Sequence, residues 1–444
     1  MNAEWRHLKE LVAAVLKEAK AMGVDAAEVG IVHESGLSAT VRMGVVETIE
    51  FNRDKTLGIT VYRGTKKGSA STSDIHQDAI RTALEAACHI AEYTEEDPCA
   101  GLADKDLLAR EIPDLDLYHP WALLPEEAVK WAKDCEDSAR GFDARITNSE
   151  GASVTSHIGY RVYGNTNGFL AAYPSSRHGI SCTVIAKTEE GMQRDYEFTV
   201  ARDPKDLESR TSIGQKAALR TLRRLGARKL KTREAPVIFE AQIAGSLLGS
   251  FIAAISGSNL YRKSSFLLDS LNQAVFPEFI SIKEVPHLPK GLGSSPFDSE
   301  GVATRERNIV ENGILKSYVL GSYSARKLGL QSTGNAGGVH NLMISHTNHD
   351  LPELLTEMGT GLLVTELIGQ GVNIVTGDYS RGAAGFWVEN GEIQYPVEEI
   401  TIAGNLKEMF QRLVAIGDDV EHRSNILTRS LKELTRTAEA QNYR

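Results

Sequence analysis

Segments alternating apolar and polar residues recur along the chain, in runs broken by helices and without regular strand–helix–strand succession. Period-two alternation marks half-buried strands. Without βαβ crossovers, such strands pair chiefly in antiparallel sheets. The expected fold is therefore α+β, with two main domains built from mostly antiparallel sheets and flanking helices. A chain of 444 residues is long enough for two or three domains, and a core of this size needs no disulfide or structural metal.

In the first half, Trp5, Leu8, Leu11, Val12, Val15 and Leu16 recur at helical spacing, with Gly23 as a stop. Leu37–Met43, Glu47–Phe51 and Gly58–Arg63 read as strands. Asp74 is the expected cap of a helix burying Ile75, Ile80, Leu84 and Ile90. Pro125, Glu126 and Glu127 open a helix that carries Val129, Trp131 and Ala132 and ends near Gly141. Strand patterns return from Ala144 to Val200, with turns at Glu150-Gly151, Asn167-Gly168 and Glu190-Gly191. Asp203-Pro204 starts a helix running to about Gly226.

Arg220, Arg223, Arg224, Arg228, Lys229, Lys231 and Arg233 form a basic run with no aromatic residues interleaved to stack on bases. The chain carries a net charge of −10, which argues against neutralising phosphates or anionic lipid as its main work. The run reads as a solvated helix end followed by a linker. It divides an N-terminal α+β domain, 1–226 with sub-segments 1–105 and 120–226, from a β-rich α+β domain, 235–444. There, Pro236–Phe239 predicts a strand and Gln242–Ile255 an apolar, small-residue helix. Asn312-Gly313 and Asn390-Gly391 predict type I′ hairpins. Short helices are expected at Leu351–Met358 and Leu406–Leu413.

Cys88, Cys99, Cys135 and Cys182 contain no C-x-x-C pair, so structural zinc is not expected, and scattered thiols suit a reducing compartment. The first twenty residues are too charged for a signal peptide, and the uncharged stretch from Ala241 to Tyr261 is too polar for a membrane span. A cytoplasmic protein is expected.

No H-E-x-x-H, G-x-S-x-G, P-loop or G-x-G-x-x-G occurs. Gly369-Gln-Gly371 reads as a bent strand or loop. His340, His346 and His349, with Asp350, match no ligand spacing; the last pair reads as a polar loop leading into a helix cap at Asp350. In Thr333-Gly-Asn-Ala-Gly337-Gly338-Val-His340-Asn341, consecutive glycines admit another backbone, and His340 and Asn341 could hydrogen-bond a peptide. A tight helix–strand loop is the alternative. The segment from Thr376 to Gly385 lines a groove, or is a turn in which Asp378 and Arg381 pair at the surface.

Several of these segments carry a family resemblance. Pro296-Phe-Asp-Ser-Glu-Gly301, Ser322-Tyr-Ser-Ala-Arg-Lys-Leu-Gly329, Thr333-Gly-Asn-Ala-Gly-Gly338, Thr376-Gly-Asp-Tyr-Ser-Arg-Gly-Ala-Ala-Gly385 and Phe386-Trp-Val-Glu-Asn-Gly-Glu-Ile-Gln-Tyr-Pro396 resemble the PmbA (TldE) branch of the TldD/PmbA metallopeptidase family. Leu57-Gly-Ile-Thr-Val-Tyr62, Asp97-Pro-Cys-Ala-Gly101 and Arg145-Ile-Thr-Asn148 do so in the first half. The resemblance spans essentially the whole chain.

In that family the TldD subunit carries H-E-x-x-x-H on a helix, completed by a distal cysteine. Laid on this sequence, the resemblance puts Gly249 and Ala254 at the histidine positions, Ser250 at that of the general base and Thr428 at that of the cysteine. None can do the original's work, because glycine and alanine hold no donor and serine is no carboxylate base. The resemblance thus implies a heterodimeric zinc-dependent protease acting on unfolded peptides and small proteins, with zinc in a TldD-like partner and neither metal nor catalytic residue here. This chain would help form a peptide-holding chamber, with Gly337, Gly338, His340 and Asn341 as candidate wall residues. Alone it is expected to be inactive, as monomer or homodimer, without nucleic-acid or membrane partners. Two other readings stand beside this one: an enzyme active alone through His340 with Asp350 or Asp378, and a regulatory protein-binding module without proteolytic role.

Overall fold

The computed structural model describes residues 3–440. The first half opens with α1 (Ala3–Ala21), whose Leu8, Val12, Val15 and Leu16 are buried at helical spacing. Its strands are β1 (Ala26–Arg42), β2 (Val45–Arg63) and β3 (Lys66–Thr72). After α2 (Gln77–Tyr93) and α3 (Pro125–Arg140) come β4 (Ile146–Asn165), β5 (Leu170–Thr188), β6 (Gly191–Ala201) and α4 (Arg210–Arg223). The six strands form one antiparallel sheet in the order β3-β2-β1-β4-β5-β6. Alternation along β1 puts Val29 and Ile31 on the same face as Leu37, Ala39 and Val41. The first pair packs under α1 and α2 and the second group under α3 and α4, so all four helices cover one face.

Four local expectations change here. Strands expected separately at Glu47–Phe51 and Gly58–Arg63 are one strand, and β1 runs back through Ser35-Gly36 to Ala26. Gly36 is no breaker: a Cβ there would overlap the His157 ring on β4, so glycine leaves space for a cross-strand side chain. Glu150-Gly151 is a bulge inside β4, where the register with β5 shifts and Gly151 has φ +113°. Asp74 caps nothing; its carboxylate accepts from the His76 backbone N–H at 2.9 Å, the helix begins at Gln77, and Ile90 faces solvent. Asp203 caps only a single 3₁₀ turn, and Ser209 caps α4 by accepting from Ser212 N at 3.2 Å.

The second half contains β7 (Arg233–Phe239), α5 (Ala241–Ala254), α6 (Gly257–Tyr261), β8 (Ile282–Glu284), β9 (Arg307–Glu311) and β10 (Ile314–Leu315). Next come α7 (Ser322–Lys327), β11 (Leu342–Ile344), α8 (Leu351–Met358), β12 (Gly361–Ile368), β13 (Asp378–Glu389) and β14 (Glu392–Asn405). It ends with α9 (Leu406–Gln411), β15 (Leu413–Ile416), β16 (Ile426–Leu427) and β17 (Leu431–Ala440). One sheet runs β10-β9-β8-β11-β16 and the other β14-β13-β12-β7-β17-β15, and β14 also pairs with β17. That last pairing closes β14, β13, β12, β7 and β17 into a ring. Val237 and Phe239 of β7, Leu362 and Val364 of β12 and Ile400 and Ile402 of β14 share the main core with α5, whereas Ile238 packs outward under α8. Both Asn-Gly hairpins have positive φ at each central residue, +48° and +75° at Asn312-Gly313 and +54° and +78° at Asn390-Gly391, as a type I′ turn requires. The fold is α+β, mostly antiparallel, with flanking helices; the parallel pairs are β7–β12 and β11–β16. Among the described residues no helix is long and apolar enough to cross a membrane.

The basic run is not a solvated helix end. Arg220 and Arg224 lie 3.4 and 3.5 Å from the Asp195 carboxylate, Arg224 also pairs with Glu366, and Lys229 pairs with Glu399. Arg223, Arg228 and Arg233 lie over the rings of Phe386, Tyr395 and Trp387. The run fastens α4 and the segment after it to β12, β13 and β14.

Candidate functional site

Helix α5 follows β7 directly and is almost entirely small or aliphatic, so it packs close to the ring. Ala244, Leu247, Leu248, Phe251 and Ala254 face the core. Gln242, Ile243, Gly245, Ser246, Gly249 and Ser250 form its open face. A Cβ on Gly249 would meet nothing within 4 Å. The Ser250 hydroxyl donates back to the Ser246 carbonyl at 3.0 Å. Ala254 is fully buried, and its carbonyl accepts from the Ser265 hydroxyl at 2.6 Å. Thr428 reaches the same helix about one turn earlier, where its hydroxyl donates to the Ala241 carbonyl at 2.7 Å and lies beside Gly245. The chain thus brings Gly249, Ser250 and Thr428 to α5, while Ala254 points into the core. The donor set does not fit zinc, since both hydroxyls are committed to helix carbonyls. Among the described residues no three His, Cys, Asp or Glu side chains gather to hold a metal.

The N-terminal part of the open face borders a cleft of about 250 Å³ between the two halves of the molecule. Gln242, Ile243 and Ser246 line it from α5, Asp195 and Tyr196 from β6, Arg220 from α4 and Arg224 from just past its end, and Glu366 and Arg381 from the ring. Gln242 Nε2 donates to Tyr196 Oη at 3.3 Å. Burial raises the Glu240 carboxyl above its ordinary range against the opposing pull of Arg220 and Arg223. Arg381 does not pair with Asp378, whose carboxylate accepts from the Thr376 hydroxyl at 2.6 Å; it turns instead toward this cleft.

The segment Thr333–Asn341 divides in two. Gly337 and Gly338 are exposed with φ +99° and +116°. His340 and Asn341 are buried and committed to the fold. Glu284 Oε1 accepts from His340 N at 2.8 Å, His340 Nδ1 at 2.9 Å and Asn335 Nδ2 at 2.7 Å, while its Oε2 accepts from Arg307 Nε at 2.8 Å. Burial alone would raise the Glu284 carboxyl, but the hydrogen bond from His340 and the Arg307 charge bring it down to about 2. Asn341 Nδ2 donates to the Val285 carbonyl and the Ser294 hydroxyl at 2.8 and 2.7 Å, and its Oδ1 accepts from Gly293 N. His349 pairs with Glu357 at 2.9 Å, and Asp350 caps α8 by accepting from Glu353 N at 2.8 Å. The histidines therefore share no site.

A larger cavity, about 720 Å³, lies where the segment Asp106–Pro113 crosses the second half. Its lining includes Pro296, His287, Thr304, Thr333 and Gly334, so two of the motif segments border it. His287 Nε2 and the Thr304 hydroxyl are 2.9 Å apart, and burial pushes the imidazole below its ordinary value. Asp106–Pro113 carries no apolar periodicity and Glu284 sits in no motif, so neither feature is legible in the sequence.

Three profiles of one family match the chain in order: PmbA/TldA metallopeptidase domain 1 at residues 27–91, the central domain at 118–225 and the C-terminal domain at 232–432. The chain is 53% identical to metalloprotease PmbA of Escherichia coli O157:H7 over 426 residues, covering 96% of this chain and 94% of that protein. It is 22% identical over 414 residues to the metalloprotease TldD homologue of Buchnera aphidicola subsp. Acyrthosiphon pisum, covering 88% and 84% of the two. Among solved structures it superposes with a TM-score of 0.92 on a proposed modulator of DNA gyrase from Bacteroides thetaiotaomicron, 29% identical, over 98% of this chain and 99% of that one.

Proposed function

Because this chain belongs to the PmbA/TldD metallopeptidase family, in its PmbA branch, we propose that it is the metal-free subunit of a heterodimeric zinc protease. Its partner is a TldD-like chain bearing the zinc, and their common substrates are unfolded peptides and small proteins. The observation that carries this reading is the open face of α5. At the motif positions it offers Gly249 and a serine whose hydroxyl is spent on its own helix, so nothing there can bind zinc or activate water. What the chain contributes is shape. The cavity beneath Asp106–Pro113 and the cleft beside α5 supply walls against which an extended peptide is held, largely by main-chain hydrogen bonds. The cysteines, three of them buried and all free, suit work in the cytoplasm.

The test is reconstitution. The purified chain is expected not to cleave an unfolded peptide; mixed with a family member bearing H-E-x-x-x-H it forms a complex that does, and a chelator abolishes cleavage. Chelator-sensitive activity from the unmixed chain would overturn the assignment.

A further inference from the structure

The cleft beside α5 contains an arginine that the fold leaves unused. Arg194 Nε donates to Glu150 at 2.7 Å, Arg220 and Arg224 share Asp195, and Arg224 also takes Glu366, so the acids lining the cleft have their guanidinium partners. Among the described residues Arg381 forms no ion pair. Its Nε is buried without a partner, and its Nη2 reaches only the Leu367 carbonyl, at a long 3.4 Å. Those two N–H groups are the side-on fork that elsewhere in this chain grips a carboxylate: Arg145 Nε and Nη2 donate to the two oxygens of Asp143 at 2.9 and 2.8 Å. A half-buried guanidinium without a counter-charge is costly, so an open fork favours an incoming anion. On α5, Gln242 spends its Nε2 on Tyr196, while its buried Oε1 accepts nothing. Ile243 and Leu367 add apolar lining.

We propose that this cleft takes the C-terminal residue of an unfolded peptide, with the free carboxylate on the Arg381 fork. The last peptide N–H then donates to Gln242 Oε1, and an apolar side chain packs on Ile243 and Leu367. Turned end for end, the Gln242 amide would accept from Tyr196 and donate to the carboxylate, so either orientation serves this ligand. Size agrees, since about 250 Å³ is small for a whole ligand pocket but holds one terminal residue. Such a residue brings an anion, an N–H and an apolar group together, which inorganic phosphate does not. The chain's net charge of −10 repels anions in general, so a preference for the free acid has to be local. That the occupant is a peptide rests on the proteolytic reading; that it carries a carboxylate rests on the fork.

Fluorescence anisotropy of the isolated chain reads the site, with a short unfolded peptide labelled at its N-terminus and ending in leucine. The free acid is expected to bind at least about tenfold tighter than the same peptide with a C-terminal amide. Arg381→Gln should abolish that preference by weakening the acid alone. Gln242→Ala, on the open face of α5, should weaken the acid about threefold or more with the fold intact by circular dichroism. An amidated peptide with an internal glutamate should bind no better than one without, which separates a terminal carboxylate from a side-chain one. Equal affinity of acid and amide for the wild type, an acid preference that survives Arg381→Gln, unchanged acid binding by Gln242→Ala, or a glutamate peptide as tight as the free acid would each overturn the proposal. Mass spectrometry of the recovered peptide reports cleavage separately, so the proteolytic reading can fail while this one stands, and the reverse.

Discussion

Glu284→Gln removes one negative charge from a carboxylate that is 1% exposed and surrounded by donors. The folded carboxyl titrates at about 2 against an ordinary 4.5. A depressed carboxylate contributes stability that is fully present above the unfolded value and fades as pH falls toward the folded one. The shift corresponds to roughly 3 kcal/mol, all of it available at pH 7 and lost between about pH 4.5 and 2. Glutamine keeps the volume and one acceptor, yet it sets an amide N–H₂ against the Arg307 guanidinium and leaves a buried cation without its counter-charge. The variant should therefore lose about 2–4 kcal/mol at pH 7. Urea unfolding of both proteins, followed by circular dichroism at pH 7, 5 and 3, should show the gap narrowing as the wild type sheds its own contribution. A gap below about 0.5 kcal/mol at pH 7, or one that stays constant to pH 3, would refute the claim that this cluster is held by its charge.

The open and closed faces of α5 should respond oppositely to added bulk. Gly249→His is expected within about 0.5 kcal/mol of wild type in denaturant midpoint, while Ala254→His should cost at least about 2 kcal/mol because it enters a full core. Gly313→Ala should cost more than Gly168→Ala by about 1 kcal/mol or more: both have positive φ, but only at Gly313 would a Cβ strike the Phe276 carbonyl, and thermal melts would rank them. Arg224→Ala, stripping Asp195 and Glu366 of a shared partner, should lower stability by about 2 kcal/mol and quicken tryptic cleavage between Gly226 and Pro236, read by mass spectrometry. Elemental analysis of the purified chain should find no stoichiometric zinc, and about one tightly held zinc per chain would contradict the donor chemistry at α5.

What could be read in the sequence was whatever is decided locally. Asn312-Gly313 and Asn390-Gly391 are legible because a type I′ turn demands φ above zero at both residues, and few other pairs accept that. The helices opened by Pro125 and Asp350 are legible through their first turns, where proline's fixed φ and a capping carboxylate act locally. Strand length was not. β2 runs straight through Asn52-Arg-Asp-Lys55 because the pairing with β1 continues there, and that decision lies outside the segment. The basic run misled because its counter-charges and rings, Asp195, Glu366, Phe386 and Tyr395, are distant in sequence. His340 and Asn341 stood out as a polar pair beside glycines, and only the folded chain shows Glu284 and Ser294 satisfying them. At α5 the motif positions of Gly249 and Ser250 fall on the accessible face, but nothing in the sequence placed Ala254 in the core.

During synthesis the two halves face different waits. Every strand of the first sheet lies within residues 26–201, so it can pair as soon as β6 has emerged. β7 is made soon afterwards, yet one of the strands it needs, β17, is the last among the described residues. At about 5–20 residues per second, the stretch between them takes roughly 10–40 s to make. Through that interval β7 has a bare edge, and Val237 and Phe239 lack part of the ring that encloses them. A nascent chain stalled before Leu431 is therefore an open sheet with an apolar interior, a substrate for chaperones or for aggregation, however well its first half has folded.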